Sequence, residues 1–205
     1  MIKNIVFDLG NVLVSFDPYP YFLNIFHDQE LVNRICQHIF CDDAWTSYDA
    51  GLVTIQDLNI YYRQKYPEEE QEIEYVLEHW TAFMKGMDES IAYLCNLKNR
   101  GYHIYLLSNI NEDSAIYLKQ RLAIFDKIDG AILSYEHKIV KPDPKIYQVL
   151  FDTYHLDPKT CVFLDDREEN ITVARQLHMK GIVFTNPTEA FQELEEIVKK
   201  EEVEC

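Results

Sequence analysis

Most of the chain alternates short apolar runs with longer amphipathic segments. The apolar runs are rich in Val, Ile, Leu and Phe and have the length of buried strands. The predicted strands are residues 3–8, 102–107, 130–133, 161–165 and 181–184. Apolar residues recur at helical spacing in the segments between the later runs. The predicted helices there are residues 88–100, 144–154 and 170–179. This alternation predicts an α/β fold with a parallel sheet that is covered by helices on both faces.

Residues 16–86 do not follow this alternation. They are rich in aromatic residues, and residues 68–84 carry apolar side chains at helical spacing. Thr54 and Asp57 have the spacing of a capping box at the start of another helix, and Pro67 separates the two helices. We therefore expect a core formed by residues 1–15 and 87–205, with residues 16–86 inserted as a helical cap.

Composition excludes several classes of protein. The 205 residues carry a formal net charge of −16, which disfavours binding to a nucleic acid backbone. No stretch approaches the ~20 apolar residues of a membrane span, and the chain runs from Met1 directly into a strand without the pattern of a signal peptide. Five scattered cysteines favour reduced thiols and a cytoplasmic protein. We expect a monomer or a homodimer that binds neither nucleic acid nor membrane.

Carboxylates follow two of the apolar runs. Asp8 ends the run Ile5-Val6-Phe7, and Asp165 and Asp166 end the run that starts at Cys161. Ligands of open α/β sheets bind at the carboxyl ends of the strands. Because three carboxylates that share one site need a cation, the sequence predicts a metal site at this edge of the sheet.

Four short motifs occur in a fixed order at predicted strand ends or in the loops that follow them. They are Asp8-Leu9-Gly10-Asn11-Val12-Leu13, Leu106-Leu107-Ser108-Asn109, Lys141-Pro142-Asp143-Pro144 and Phe163-Leu164-Asp165-Asp166. Each motif alone is a common turn or helix start. Together they resemble the haloacid dehalogenase (HAD) superfamily, and within it the phosphatases with a helical cap, similar to members that act on glucose 1-phosphate. The resemblance implies a Rossmann-like, doubly wound parallel sheet with an inserted helical cap.

The resemblance also implies a role for each motif. Asp8 is the expected nucleophile, which forms an aspartyl-phosphate. Asp8, the carbonyl of Gly10 and Asp166 are the expected Mg²⁺ ligands, with Asp165 acting directly or through water. Ser108 and Asn109 are expected to bind phosphate oxygens, and Lys141 to neutralise charge on Asp8 and on the transferred phosphoryl group. The implied activity is Mg²⁺-dependent hydrolysis of a small phosphorylated metabolite, with sugar phosphates favoured.

Gly10 departs from the pattern of the resembling phosphatases, most of which carry a second Asp at this position as general acid and base. Glycine cannot carry a proton, and general acid–base help is worth roughly 10²–10⁴-fold. Three outcomes follow: a substrate with a good leaving group, another residue in the proton-transfer role, or a weakly active metabolite-binding protein. Asp17 is the nearest acidic candidate, although Asp17-Pro18 is also an ordinary turn starter.

A further expectation concerns residues that could contact the substrate. A polar-aromatic turn in the predicted cap is formed by Trp45, Tyr48, Asp49 and Gly51, and contact with the substrate competes with ordinary packing as its function.

The alternative enzyme is a 2-haloacid dehalogenase, which uses the same aspartate to attack carbon and needs no metal. Asp165 and Asp166 argue against it, because that chemistry has no use for two further anions.

Overall fold

The fold is built on one five-stranded parallel sheet. The computed structural model describes residues 1–203, and side chains through residue 200. Seven strands are present in the described residues: β1 (Asn4–Phe7), β2 (Val14–Ser15), β3 (Lys85–Gly86), β4 (His103–Ser108), β5 (Gly130–Leu133), β6 (Cys161–Asp165) and β7 (Lys180–Val183). The sheet has the order β5-β4-β1-β6-β7, and all four pairings are parallel. The chain adds β4 and β5 on one side of β1 and then β6 and β7 on the other side. Ligands of such sheets bind at the carboxyl ends of the strands where the strand order reverses in this way.

Helices, together with loops and short 3₁₀ turns, connect the strands. The helices are α1 (Pro18–Phe26), α2 (Gln29–Phe40), α3 (Asp43–Asp49), α4 (Ile55–Lys65), α5 (Glu70–His79), α6 (Asp88–Asn99), α7 (Glu112–Lys119), α8 (Ser134–His137), α9 (Pro144–Tyr154), α10 (Glu168–Gln176) and α11 (Pro187–Val203). No helix in this part of the chain combines the length and the apolar character that crossing a membrane requires.

The sheet has an apolar layer on each face because successive strand residues point to opposite sides. Phe7 of β1 belongs to the cluster that includes residues of α6, α7 and α11. Val6 belongs to the other cluster, which contains buried residues of α9 and α10. This arrangement confirms the predicted α/β, doubly wound parallel fold.

The five predicted strands are all present, and no strand end differs from the expected one by more than one residue. The predicted helix 68–84 is instead helix α5 flanked by 3₁₀ turns at Pro67–Glu69 and Trp80–Phe83. The capping box of Thr54 and Asp57 at the start of α4 is confirmed. Helix α7 was missed because its buried residues, Ser114, Ala115 and Leu118, include two small side chains that give a weak apolar pattern.

Helices α1–α5 all lie between the two short strands β2 and β3. These strands pair in antiparallel fashion, with Val14 opposite Gly86, and close the base of the helical segment. We call residues 16–86 the cap segment, and its status as a separate domain stays a prediction.

The four cysteines within the described residues carry free thiols, and Cys205 lies outside that range.

Candidate active site

Adjacent strands bring the predicted carboxylates together. β1 and β6 pair in parallel with Phe7 opposite Leu164, so the residues that follow at the strand ends are neighbours. Oxygen atoms of Asp8, Asp165 and Asp166 all lie within 4.8 Å of one another. Residues more than 150 positions apart in the sequence thus form one cluster at the carboxyl edge of the sheet.

Lys141 lies between two of these carboxylates. Its Nζ is 3.0 Å from Asp8 Oδ1 and 2.6 Å from Asp165 Oδ2, and it donates a third bond to the Leu107 carbonyl at 2.9 Å. The Lys141 side chain is 1% exposed. A buried ammonium needs such partners to stay charged, and two carboxylates and a carbonyl use its three donors. Lys141 therefore places a fixed positive charge directly beside the predicted nucleophile.

The environment of Asp8 balances opposing effects on its protonation. Burial raises the pKa of Asp8 to about 6, while the Lys141 charge opposes the rise and the nearby Asp165 adds to it. The Ser108 hydroxyl donates a hydrogen bond that also favours the ionised form. An additional cation beside Asp8 would favour the carboxylate further.

Asp165 and Asp166 have different surroundings. Asp165 is fully buried, and its two oxygens accept bonds from Lys141, from the Asn170 amide and from the backbone N–H of Arg167. Asp166 lines a cavity and accepts one bond, from Asn11 Nδ2 at 3.0 Å. Burial raises the pKa of Asp166 above its usual range, while the Asn11 hydrogen bond and the charges of Lys141 and Arg167 oppose the rise. Asp166 is therefore better placed than Asp165 for direct contact with an ion.

The second motif divides into two roles. Ser108 is buried at the end of β4 and lines the same cavity as Asp8. Asn109 lines the cavity too, but its side chain bonds both backbone groups of Lys141, donating to the carbonyl at 2.9 Å and accepting from the N–H at 2.7 Å. Asn109 thus holds the loop that carries Lys141, and phosphate contact by its side chain stays a prediction.

The chemistry of this cluster fits a magnesium ion. Asp8, Asp166 and Gly10 all line the cavity, and each offers oxygen. Mg²⁺ prefers a few hard oxygen ligands and keeps several waters. Two carboxylates and one carbonyl around an accessible space suit that preference, with Asp165 one layer deeper.

The cap segment supplies the opposite wall of the cavity, whose volume is about 380 Å³. The residues of the cap segment that line this cavity are Phe16, Phe40, Trp45, Thr46, Asp49, Trp80 and Met84. Of the predicted polar-aromatic turn, Trp45 and Asp49 reach the cavity, whereas Tyr48 is buried and donates to Asp113 at the start of α7. The turn therefore contributes both to packing and to the cavity wall, and contact with a substrate stays a prediction.

A model of haloacid dehalogenase-like hydrolases matches residues 2–178. The chain belongs to this family. It is 28% identical over 215 residues to the D-ribitol-5-phosphate phosphatase of Bacteroides thetaiotaomicron, with 95% of this chain and 97% of the relative covered. It is 22% identical over 196 residues to the sesquiterpene phosphatase astK of Aspergillus oryzae, with 96% of both chains covered. Family membership confirms the predicted enzyme class, a HAD-like hydrolase with phosphatases among its relatives.

Solved structures agree with this assignment. A HAD family enzyme from Bacteroides thetaiotaomicron, in complex with magnesium and inorganic phosphate, matches with a TM-score of 0.71 and 26% identity, covering 89% of this chain and 94% of that one. The L-2-haloacid dehalogenase of Xanthobacter autotrophicus matches with a TM-score of 0.64 and 15% identity, covering 88% and 76%. At that identity the dehalogenase shares the fold alone.

Within this HAD-like hydrolase, two residues near the nucleophile differ from the sequence-based expectation. Asp17 is exposed before α1 and does not line the cavity, so the suggestion that it replaces the missing acid has no structural support. Asn11 was overlooked. It has a φ of 53°, donates to Asp166 and accepts from the Phe16 N–H at 3.0 Å, thereby joining Asp166 to the start of the cap segment. The signal for it was an Asn after Gly10, a residue type that tolerates left-handed backbone.

Proposed function

We propose that this chain is a Mg²⁺-dependent phosphatase that hydrolyses a small phosphorylated metabolite through an aspartyl-phosphate on Asp8. One observation carries the proposal: the buried Lys141 ammonium joins Asp8 to Asp165 while Asp166 stands beside them at the cavity. A dehalogenase needs one carboxylate for its nucleophile. Three convergent carboxylates and one lysine suit a site that handles both a divalent cation and a phosphate.

In the first step an oxygen of Asp8 attacks phosphorus, and the bond between phosphorus and the substrate oxygen breaks. The Lys141 charge and the Ser108 hydroxyl keep Asp8 in the ionised form that attacks, and the Lys141 charge is placed to stabilise the negative charge on the phosphoryl oxygens. Mg²⁺ held by Asp8, Asp166 and the Gly10 carbonyl would supply the positive charge that lets two anions approach. In the second step water displaces phosphate from Asp8.

The cavity wall bears on the class of substrate. Aromatic side chains at Trp45 and Trp80 lie beside polar ones at Asp49 and Asn111. A phosphorylated sugar or polyol offers both a carbon skeleton and hydroxyl groups to such a wall. The D-ribitol-5-phosphate phosphatase among the relatives is named for a polyol phosphate, which supports the same class.

The test is a screen of phosphorylated metabolites with Mg²⁺, with EDTA, and with the Asp8→Asn variant. We expect release of inorganic phosphate from sugar or polyol phosphates, loss of activity in EDTA with recovery on added Mg²⁺, and a loss on the order of 10⁴-fold or more in Asp8→Asn, because the covalent step has no substitute. Chloride release from 2-haloacids that persists in EDTA would favour the dehalogenase instead. No turnover of any substrate would favour a metabolite-binding protein.

A further inference from the structure

Gly10 leaves the proposed reaction without a proton carrier at the usual place. It lines the cavity, and a Cβ built on it meets no other atom within 4 Å. Space for a side chain is therefore present where none exists. The oxygen that leaves the substrate still needs a proton, and the water that cleaves the aspartyl-phosphate must still lose one.

Asp49 is a carboxylate that the cap segment brings to the same cavity. It is the last residue of α3, and both its backbone and its side chain are bonded to the core. Ser134 Oγ donates to the Asp49 carbonyl at 2.5 Å, and Asn111 Nδ2 donates to Asp49 Oδ1 at 2.8 Å. Two residues further on, Lys138 Nζ donates to the Gly51 carbonyl at 2.6 Å. The turn is thus fixed against the loops that follow β4 and β5.

The donor that holds Asp49 is itself fixed in orientation. Asn111 Oδ1 accepts from the backbone N–H and the hydroxyl of Ser114, both at 2.9 Å, so its Nδ2 must face Asp49. Asn111 is neutral and is 1% exposed. Asp49 is therefore held in place by a partner that carries no charge to keep it ionised.

The surroundings of Asp49 suit both gain and loss of a proton near neutral pH. Burial raises the pKa of Asp49 to about 7, the Asn111 hydrogen bonds oppose the rise, and the negative charge of Asp8 adds to it. Asp8 and Asp49 both line the same cavity. Charged groups around this turn include Asp8, Asp113, which accepts from the adjacent Tyr48, and Lys138. Helices α2, α4 and α8 contact α3, and their ionisable residues are Glu30, Arg34, Cys36, His38, Asp57, Tyr61, Tyr62, Arg63, Lys65, Tyr135, Glu136 and His137.

We infer that Asp49 is the proton donor and acceptor of the reaction, supplied by the cap segment in place of the side chain that Gly10 lacks. The inference rests on the phosphatase function proposed above. It makes Asp49 a catalytic residue. It also explains the two hydrogen bonds from Ser134 and Asn111, which we call the clamp and which hold Asp49 in the wall of the cavity that Asp8 also lines.

Asp49 gives up one proton in the first step of the reaction and regains one in the second. Neutral Asp49 gives its proton to the substrate oxygen as the bond to phosphorus breaks, which releases an alcohol and leaves Asp49 ionised. Ionised Asp49 then takes a proton from the water that attacks phosphorus, and the bond between phosphorus and Asp8 breaks. The products are the alcohol and inorganic phosphate, and both aspartates return to their starting states.

Asp49→Asn separates this role from a purely structural one. An asparagine keeps the size of the side chain and an oxygen that accepts from Asn111, but it transfers no proton. With p-nitrophenyl phosphate, whose leaving group needs no proton, we expect a burst of about one p-nitrophenolate per enzyme followed by turnover slowed roughly 10²–10⁴-fold. With an alkyl phosphate we expect the same loss without a burst. Rapid-quench labelling should find the variant accumulating phosphoenzyme.

Two further variants complete the test. Asp43→Asn removes an exposed carboxylate from the first turn of the same helix and should behave as wild type. Gly10→Asp combined with Asp49→Asn places a carboxyl group in the free space at residue 10 and should restore at least part of the lost turnover and shorten the lifetime of the phosphoenzyme. A double variant as slow as Asp49→Asn, with an equally long-lived phosphoenzyme, would count against the role.

The outcomes distinguish this inference from the function on which it rests. If the wild type releases phosphate and Asp49→Asn does so equally fast from both substrates, Asp49 is not the proton carrier and the phosphatase stands. If losses are equal for both substrates and no burst or phosphoenzyme appears in the variant, Asp49 is structural only. If the wild type itself releases no phosphate, the proposed function fails first.

Discussion

Two carboxylates face the same cavity from different parts of the molecule and are held in opposite ways. On the core side, Asp8 lies 3.0 Å from the Lys141 ammonium and accepts from Ser108. On the cap side, Asp49 accepts from the neutral Asn111. Burial raises the pKa of both, to about 6 for Asp8 and to about 7 for Asp49.

This difference shows how one cavity can hold one carboxyl group for nucleophilic attack and another for proton transfer. A lysine beside a carboxylate favours the anion, which is the form that a nucleophile needs. At Asp49 only hydrogen bonds from the neutral Asn111 oppose the effect of burial, and the carboxyl group then holds or releases a proton near neutral pH. The core thus offers an attacking anion, and the cap segment offers a proton.

The largest expected effect comes from removing the cation on the core side. Lys141→Met leaves Asp8 and Asp165 as neighbouring buried carboxylates with no positive charge between them. Loss of one partner from a buried ion pair lowers the free energy of unfolding by about 3–5 kcal/mol. Urea denaturation near neutral pH measures this. The exposed Lys145 on α9 provides the control, and a Lys141→Met protein as stable as Lys145→Met would contradict the account of the core side.

A smaller effect is expected from displacing the cap turn. Gly51 has a φ of +65°, and a Cβ there would lie 2.6 Å from Lys138 Nζ and 2.8 Å from the Tyr135 carbonyl oxygen. Gly51→Ala should therefore cost at least about 1–2 kcal/mol for the left-handed backbone and also move Asp49 away from its clamp, with loss of turnover.

Gly101→Ala is the matched control for this change. Gly101 also has a positive φ, +93°, but a Cβ there meets nothing within 4 Å. We expect only the backbone part of the loss of stability, about 1–2 kcal/mol, with turnover unchanged. Equal turnover in the two alanine variants, measured beside their denaturation curves, would show that the position of the turn does not matter for catalysis.

The smallest expected effect is a pH dependence of stability that belongs to Asp49. Its pKa is about 7 in the folded protein and near the ordinary 3.8 when unfolded. A folded state that binds a proton more tightly is stabilised at low pH, and this contribution is lost as the pH rises from about 4 to about 7. Relative to Asp49→Asn, the wild type should lose about 1 kcal/mol between these values, allowing for solvent in the cavity. If the difference in unfolding free energy between the wild type and Asp49→Asn is the same at both pH values, the pKa of Asp49 is not raised.

The core side of this comparison was predictable from the sequence because its signals are local. An apolar run followed by Asp8, and another followed by Asp165 and Asp166, identify strand ends, and parallel pairing places those ends together. The position of Lys141 followed only from the resemblance to a family. Its spacing to Asp8 along the chain carries no geometric information.

The cap side was not predictable in the same way. Asp49 appeared in the sequence as one member of a polar-aromatic turn, equally suited to packing. Its placement depends on how α3 rests on α8, and on Asn111 and Ser134, which lie more than 60 positions away. Helix α7, which Asn111 caps, carries too few large apolar residues to be read from periodicity.

The most direct test of the central claim is to identify the residue that carries phosphate during turnover. Enzyme that is quenched rapidly while hydrolysing p-nitrophenyl phosphate with Mg²⁺ should yield a peptide from the start of the chain with phosphate on Asp8, and Asp8→Asn should yield none. Turnover in the wild type without covalent phosphate at Asp8, or with phosphate on another residue, would contradict the account.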